Sequence, residues 1–309
     1  MKQQHSFKVI LVGFLIIFLT GSAIAQVPPE GKYNTASYPQ DRKAIEALDN
    51  IKDNSKYLAN DYIAIGPEGK IYYALKEWQQ SFKDMGVTFK SIMPVPETSI
   101  LRIYNGDAAV RNRMLNVALA TPKGDTAITL VLRETFIKQA GKWYVVSVQG
   151  TNQMSEADQQ NLKAGSILKD SIDVAAVVPP LGKFSDSSYP EDRKMINAPR
   201  NLNDSTAYHD DDYIAVGPEG KVSYGKAQWQ QGFKHVNVKF KSVAMVKDAT
   251  VLRIYNGDAA IKNFVADVVA DTPKGDMYLT VMRSETYIKI NGQWYFVGGQ
   301  GTKLASVNN

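Results

Sequence analysis

Hydrophobic and polar positions change their spacing along the chain, first to a helical period and then to the period of a strand. Ile45, Leu48 and Ile51 recur every three residues after Pro39, which predicts a short amphipathic helix. A second helix is expected over residues 74–83, because the apolar residues of this segment again share one face. Both helices precede the segments in which apolar and polar residues alternate.

The alternating segments are separated by turns rich in Gly, Pro, Asn and Asp, which is typical of strands in an antiparallel meander. A first pair of strands is expected at residues 62–65 and 70–73. The later strands are expected at residues 87–92, 100–104, 108–119, 126–138 and 143–149. Helices followed by a run of strands indicate an α+β fold, with short N-terminal helices packed on one face of a strongly curved antiparallel sheet.

The whole pattern occurs twice. Residues 27–151 align without gaps with residues 178–302 at a shift of 151, and roughly half of the paired positions are identical. The sequence LRIYNGDAA, for example, starts at both Leu101 and Leu252. We therefore expect two similar domains, joined by a linker at residues 152–177 that contains a short helix. Pro199 interrupts the pattern of the second copy, so its first helix should be shorter or kinked.

The N-terminal residues 1–25 have the features of a signal peptide. Lys2 and Lys8 precede an apolar run, and Ala23-Ile24-Ala25 supplies small residues for cleavage. We expect an exported protein, periplasmic or secreted, with no membrane span after cleavage, and an uncleaved N-terminal anchor as the alternative. Removing the two lysines lowers the formal net charge from +5 to +3. The remaining charge forms no basic block, so nucleic acid is not an expected partner.

Composition restricts the available chemistry. The chain has no cysteine, which excludes disulfides, thiolate metal sites and cysteine nucleophiles, and it has only three histidines. His209 precedes three aspartates, which could form a weak cation patch; an exposed polar loop is the favoured interpretation because no further spaced ligands accompany it. We predict no metal site and no cofactor.

Several motifs resemble the nuclear transport factor 2 (NTF2)-like superfamily, in particular its SnoaL-like, domain-of-unknown-function branch. They recur in both copies and are, in the first copy, Asp61-Tyr62-Ile63-Ala64-Ile65 before Gly-Pro-x-Gly-Lys, the helix with Glu77-Trp78, Arg102-x-Tyr104-x-Gly106-Asp107-Ala108-Ala109, and Gly141-x-Trp143 before Gln149-Gly150-Thr151. The resemblance implies two tandem cones, each with a pocket between the concave sheet and the helices. Members of the superfamily include isomerases, dehydratases, small-molecule binders and structural modules, so the fold leaves the function open.

One acidic residue interrupts an apolar row in each copy. Glu134, which recurs as Glu285, shares a strand face with apolar neighbours, so it is a candidate general base or ligand anchor. The alternative is a structural carboxylate that pairs across the sheet with Arg102 or Arg253, and this alternative is favoured.

Tyrosine and arginine side chains on the strands complete the candidate ligand site, while the large aromatic residues are expected in the cores. Asp61 and Asp212 precede strands and are expected to fix turns. The aromatic residues assigned to the cores are Trp78, Phe82, Trp143, Trp229, Phe233 and Trp294. The candidate ligand-binding residues are Tyr62, Tyr73, Arg102, Tyr104, Glu134, Tyr213, Tyr224, Arg253, Tyr255, Arg283 and Glu285.

The favoured function is therefore that of an exported, non-catalytic protein that binds a small apolar or amphipathic ligand or serves as an interaction module of the envelope. No nucleophile with its base, no phosphate loop and no metal spacing is visible. The alternative is an isomerase or dehydratase that uses Glu134 or Glu285 as general base and a tyrosine as hydrogen-bond donor. The duplication also predicts that the two domains pair within the chain as a pseudo-dimer.

Overall fold

A computed structural model describes residues 37–50, 56–155, 187–198, 209–235, 237–273 and 275–304. The predicted signal peptide and most of the predicted linker lie outside these residues, so they stay predictions. No helix within the described ranges is long and apolar enough to span a membrane.

The described residues of the first half form two α-helices, a 3₁₀ helix and seven strands. Their bounds are α1 Pro39–Ala47, the 3₁₀ helix Leu48–Asn50, β1 Leu58–Ile65, β2 Ile71–Tyr72, α2 Leu75–Asp84, β3 Thr88–Pro94, β4 Ile100–Tyr104, β5 Ala108–Thr121, β6 Gly124–Gln139 and β7 Lys142–Asn152. The order of helices and strands agrees with the prediction. Most strands are longer than predicted, because ladder hydrogen bonds continue into the polar ends of each strand.

The second half repeats this order with one fusion and one shortening. Its elements are α3 Pro190–Asn197, β8 His209–Val216, β9 Val222–Tyr224, α4 Lys226–His235, β10 Lys239–Tyr255, β11 Ala259–Thr272, β12 Gly275–Ile290 and β13 Gln293–Lys303. The single strand β10 corresponds to β3 and β4 together. Helix α3 ends two residues before Pro199, whereas α1 continues into the 3₁₀ helix, so the prediction of a shorter first helix is confirmed.

Each half has one sheet, and both sheets are mixed rather than purely antiparallel. The first runs in the order β2-β1-β7-β6-β5-β3 with β4 also on β5, and the second runs β10-β11-β12-β13-β8-β9. The prediction of an antiparallel sheet is wrong at one pairing in each half, because β1 is parallel to β7 and β8 is parallel to β13. The chain can make a parallel pairing here because all the intervening strands and a helix supply the long return connection.

Each sheet packs its inner face on its helices. In the first half, Ile45 of α1 packs with Tyr62, Phe136 and Trp143 in one buried cluster. The corresponding cluster of the second half contains Ile196 of α3. Two tandem α+β units, each with its own core, therefore confirm the predicted fold class apart from the parallel strand pairs.

The outer faces of the two sheets pack against each other. A mixed apolar cluster joins Tyr104 and Ile137 of the first half to Tyr255 and Ile288 of the second. The Gln149 side-chain amide donates to Thr302 Oγ1 at 2.9 Å. The same contact with the two halves exchanged has the Gln300 amide donating to Thr151 Oγ1, also at 2.9 Å. The two halves thus form a pseudo-symmetric pair within one chain.

Two arginines reach across this inter-sheet contact. Arg102 donates to the backbone carbonyl of Asp212, and Arg253 donates to that of Asp61. Asp61 and Asp212 lie within β1 and β8, so the prediction that they fix turns before these strands is wrong. Their backbone carbonyls are available to arginine because the pairing of each strand to its parallel neighbour shifts register at this point.

Candidate functional site

The second half contains a cavity of about 620 Å³ between its sheet and its helices. Helix α4 contributes Trp229, Gly232 and Phe233 to the walls, and the sheet contributes apolar residues from β10, β11 and β12. A volume of this size is within the range of small-molecule sites, which are mostly apolar with a few polar groups that fix orientation.

Charged side chains of β11 and β12 form one cluster in the wall of the cavity. The Arg283 Nε donates to Glu285 Oε1 at 2.9 Å, and the Tyr287 hydroxyl donates to the other carboxylate oxygen. Lys262 lies directly opposite Glu285 in the β11–β12 register, and its ammonium is 5.4 Å from the centre of the Phe264 ring. We call Lys262, Arg283 and Glu285 the polar belt of the second cone.

Arg283 stays charged in this environment. Burial alone would lower its pKa, but the Glu285 carboxylate and the Tyr213 hydroxyl oppose this effect and raise the pKa above its ordinary value. The arginine is therefore a permanent cation at the edge of an apolar cavity.

The first half has a different arrangement at the matching place. Arg111 donates to Glu134 at 2.7 and 3.0 Å, and it also donates to both oxygens of Asp49 at 2.9 and 3.0 Å. Arg113 makes further hydrogen bonds to the same two carboxylates, at 3.1 Å to Glu134 and 3.0 Å to Asp49. Two arginines and two carboxylates thus form a balanced network, which we call the Asp49 network.

Local structure explains why only the first cone has this network. Asp49 belongs to the 3₁₀ helix that continues α1 and carries its carboxylate over the sheet. At the shift of 151 residues, Asp49 corresponds to Arg200, which follows Pro199 and lies outside the described residues. The second copy therefore has no carboxylate at this sequence position.

Other differences between the copies enlarge the second cone. The positions of Leu115 and Ser81 are taken by Ala266 and Gly232, and both of these smaller residues line the cavity. A Cβ added to Gly232 would meet no atom within 4 Å, so the space beside helix α4 is open. Leu132 is replaced by Arg283, which adds charge to the wall.

Only two of the predicted ligand-binding residues, Arg283 and Glu285, line this cavity. Glu134 belongs to the Asp49 network. The others lie in buried clusters or at the inter-sheet contact: Tyr62, Tyr73, Arg102, Tyr104, Tyr213, Tyr224, Arg253 and Tyr255.

The predicted partner of the glutamates is wrong, although each does pair with arginine. Glu134 binds Arg111 and Arg113 rather than Arg102, because β5 and β6 place Arg111 directly opposite Glu134. Arg102 is on the other side of the sheet, where it crosses to the second half.

The hydroxyls of the buried tyrosines keep their protons, so they are not prepared to act as bases. Burial raises the pKa of Tyr62 and Tyr213 above the usual value, and burial raises that of Tyr73 to about 12. Tyr213 is nonetheless close to the polar belt, because its hydroxyl contributes to the raised pKa of Arg283.

Sequence reasoning missed most of the cavity. Trp229 and Phe233 were expected in the core but line the cavity, together with Lys262 and Phe264. A signal was present in the comparison of the copies, since Lys262 and Phe264 replace Arg111 and Arg113. Within the described part of the chain, no group of three or more His, Asp or Glu side chains could hold a metal ion.

The fold defines the class of protein as two tandem α+β units, each a mixed sheet covered on one face by short helices. One similar structure is an NTF2-like protein from Cytophaga hutchinsonii, with 17% identity and a TM-score of 0.30, covering 36% of this chain and 91% of that one. Another is an uncharacterised protein with a cystatin-like fold from Caulobacter vibrioides, with 15% identity and a TM-score of 0.33, covering 40% of this chain and 95% of that one.

A third similar structure is the association domain of CaMKII from C. elegans, with 15% identity, a TM-score of 0.29, and coverage of 38% of this chain and 99% of that one. Neither a family model nor a curated protein sequence matches the chain. The two units themselves are defined by the strands and helices described above.

Proposed function

We propose that this protein binds a small apolar or amphipathic molecule in the cone of its second half and does not transform it. The observation that carries the proposal is the cavity of about 620 Å³, whose walls are largely apolar and whose charged lining residues are the polar belt together with Glu219, Lys221 and Lys303. Export through the N-terminal segment, to the periplasm or the exterior, belongs to the same proposal and is supported by the sequence pattern of residues 1–25.

The alternative of a general-base enzyme has less support. Glu134 accepts hydrogen bonds from two arginines, and Glu285 accepts from Arg283 and from the Tyr287 hydroxyl. The oxygens of carboxylates in such pairs are occupied by hydrogen bonds, so they are poorly placed to take a proton from a substrate.

An interaction module of the envelope is the other alternative. Its support is the edge strand β3, on which Phe89, Ile92 and Met93 are exposed. Such a role requires no cavity ligand, so a test of cavity binding separates the two functions.

Gly232 offers a selective way to test the cavity. A leucine at this position would extend into open space in the cavity, and replacing a helical glycine should stabilise the helix by up to about 1 kcal/mol. The matched control is Gly232→Ala, which improves the helix equally but adds only one carbon atom.

The measurement is fluorescence titration of residues 26–309 with N-phenyl-1-naphthylamine, a neutral apolar dye, combined with native mass spectrometry of the purified protein. We expect saturable binding by the wild type and by Gly232→Ala, and at least tenfold weaker binding by Gly232→Leu. Equal binding by all three proteins, or no saturable binding at all, would rule out the second cone as the site.

A further inference from the structure

We propose that the contact between the two sheets holds one small monovalent anion, of the size and charge of chloride, against the guanidinium of Arg133. This site is separate from the cavity of the second cone, because Arg133 is not among the residues that line that cavity. The inference does not depend on the proposed function.

Arg133 is a buried cation in the contact between the sheets, with only 2% of the residue exposed. Its Nη1 donates to the backbone carbonyl of Ile214 in the second half at a long distance of 3.4 Å, and its guanidinium lies against Gly298. A buried charge without a counter-charge costs free energy, and a paired or bound ion offsets part of this cost. The position of Arg133 therefore favours a negative charge beside it.

One edge of this guanidinium is open. In the part of the chain that the structure describes, neither Nε nor Nη2 of Arg133 has a hydrogen-bond partner, and both atoms are buried. These two N–H groups form a fork with which arginine binds an anion through two hydrogen bonds. Arg111 uses the same edge for Glu134, at 2.7 Å from Nε and 3.0 Å from Nη2. An anion at the edge of Arg133 would accept the equivalent pair of hydrogen bonds.

The neighbours that act on the charge of Arg133 do not supply this anion. Burial lowers the pKa of Arg133 to about 10. The hydroxyls of Tyr104 and Tyr213 oppose this effect, and the cations of Arg283 and Arg102 add to it. None of these four neighbours is a carboxylate. Arg133 nevertheless stays protonated at pH 7.5, so its charge is left for an anion to balance.

A second buried donor lies opposite Arg133. Asn112 is paired with Arg133 in the β5–β6 register, so the two side chains are on the same face of the sheet. Asn112 is also 2% exposed, and its side-chain amide has no hydrogen-bond partner among the described residues. Directly opposed residues have Cβ atoms about 5 Å apart. The amide nitrogen can therefore add a third hydrogen bond to an anion that Arg133 holds.

Size and charge restrict the bound species. Because both side chains are almost inaccessible to solvent, a monatomic anion is favoured over a phosphate or an organic acid. Chloride supplies the counter-charge, whereas a water molecule would satisfy the N–H groups but leave the buried charge unbalanced. The second copy has Ser284 at the position of Arg133, so we expect one ion per chain.

The test measures the thermal stability of residues 26–309 at pH 7.5 and constant ionic strength, while sodium gluconate, whose anion is bulky, is replaced by sodium chloride. An ion that binds only the folded protein raises the melting temperature. We expect chloride to raise that of the wild type by about 2 °C or more. Arg133→Ser, with the residue of the second copy, should lose this response. The control Lys142→Ser removes an exposed cation and should keep it.

A crystal of the wild-type protein soaked in bromide gives an independent measurement, because bromide replaces chloride and its anomalous scattering locates it. We expect a peak beside Nε and Nη2 of Arg133. If Arg133→Ser does not fold, the double variant with Gly298→Ser replaces it in the melting experiment. Ser284 and Ser147 are the residues at these two places in the other copy.

The outcomes decide the anion proposal alone. The absence of a chloride response in the wild type, or an equal response in Arg133→Ser, would overturn it. Bromide peaks at other places only would overturn it as well, and so would a peak at Arg133 without a response in solution, which shows binding at crystal concentration only. None of these results bears on the cavity, whose ligand is tested by the dye titration with Gly232→Leu.

Discussion

Replacing Asp49 by asparagine should destabilise the first half of the protein. The substitution keeps the size of the side chain but removes the charge that bridges Arg111 and Arg113, leaving two arginines with the carboxylate of Glu134 alone. The side chain of Arg111 is only 5% exposed, so its charge cannot be fully compensated by water.

The size of the effect follows from exposure. Hydrogen bonds to charged groups contribute about 1.5 to 3 kcal/mol when buried. Because the Asp49 side chain is 40% exposed, solvent screens part of this contribution. We therefore expect a loss of about 1.5 kcal/mol in the free energy of unfolding.

The assay is urea unfolding at pH 7.5, followed by tryptophan fluorescence and far-ultraviolet circular dichroism. The control is Asp125→Asn, which breaks an exposed ion pair with Lys90 and should cost less than about 0.5 kcal/mol. In the more severe variant Asp49→Ala, added acetate should restore part of the stability, because the small carboxylate can enter the place of the lost one. A loss for Asp49→Asn no larger than that of the control would refute the reasoning about the Asp49 network.

Two further predictions concern the contact between the halves. A Cβ at Gly298 would lie 2.0 Å from the Arg133 guanidinium, so Gly298→Ala should lower the free energy of unfolding in urea by about 2 kcal/mol. Adding Arg133→Ser in the double variant should relieve that loss. Additive losses from the two substitutions would contradict the steric explanation. Burial and the neighbouring Asp107 raise the pKa of Asp258 to about 6, so the stability supplied by the protonated form is complete below pH 4 and is lost as the pH rises through 6. At pH 7.5, Asp258→Asn should therefore increase the free energy of unfolding by about 1 kcal/mol, after allowance for its half-exposed position, and so raise the melting temperature. At pH 4 the same substitution should give no gain.

The strands and the duplication could be predicted because both leave local patterns in the sequence. Alternation located all the strands of the first half, and a constant shift located the second copy. The parallel pairing of β1 with β7 leaves no such pattern, because its two strands are far apart in sequence and neither turn geometry nor composition records the contact.

The glutamate–arginine pair could have been predicted more sharply. The turn between β5 and β6 pairs Thr121 with Gly124, which fixes the register of the whole hairpin and sets Arg111 opposite Glu134. The predicted strand ends at residues 119 and 126 leave this register undetermined and allow Arg102 as the partner. The cavity could not be predicted in this way, because it depends on how far helix α4 lies from the sheet and on the small residues Gly232 and Ala266.

Whether a residue differs between the two copies depends on whether it lies at the contact between the two sheets. Residues that cross the inter-sheet contact, such as Arg102 with Arg253 and Gln149 with Gln300, are identical in the copies, since a pseudo-symmetric contact uses the same surface twice. Arg133 and Gly298 depart from this symmetry, and they do so together, because the arginine needs the space that the glycine leaves.

No such constraint acts inside the cones. The residues that differ here lie on the sheet faces that pack on the helices, so a change from Leu132 to Arg283 or from Arg113 to Phe264 leaves the pairing of the sheets unaffected. One half can therefore keep a self-contained charge network while the other half opens to a ligand. If this is the reason for the duplication, ligand binding should be abolished by changes in the second cone alone, and the first half should act through the stability that it lends to its partner.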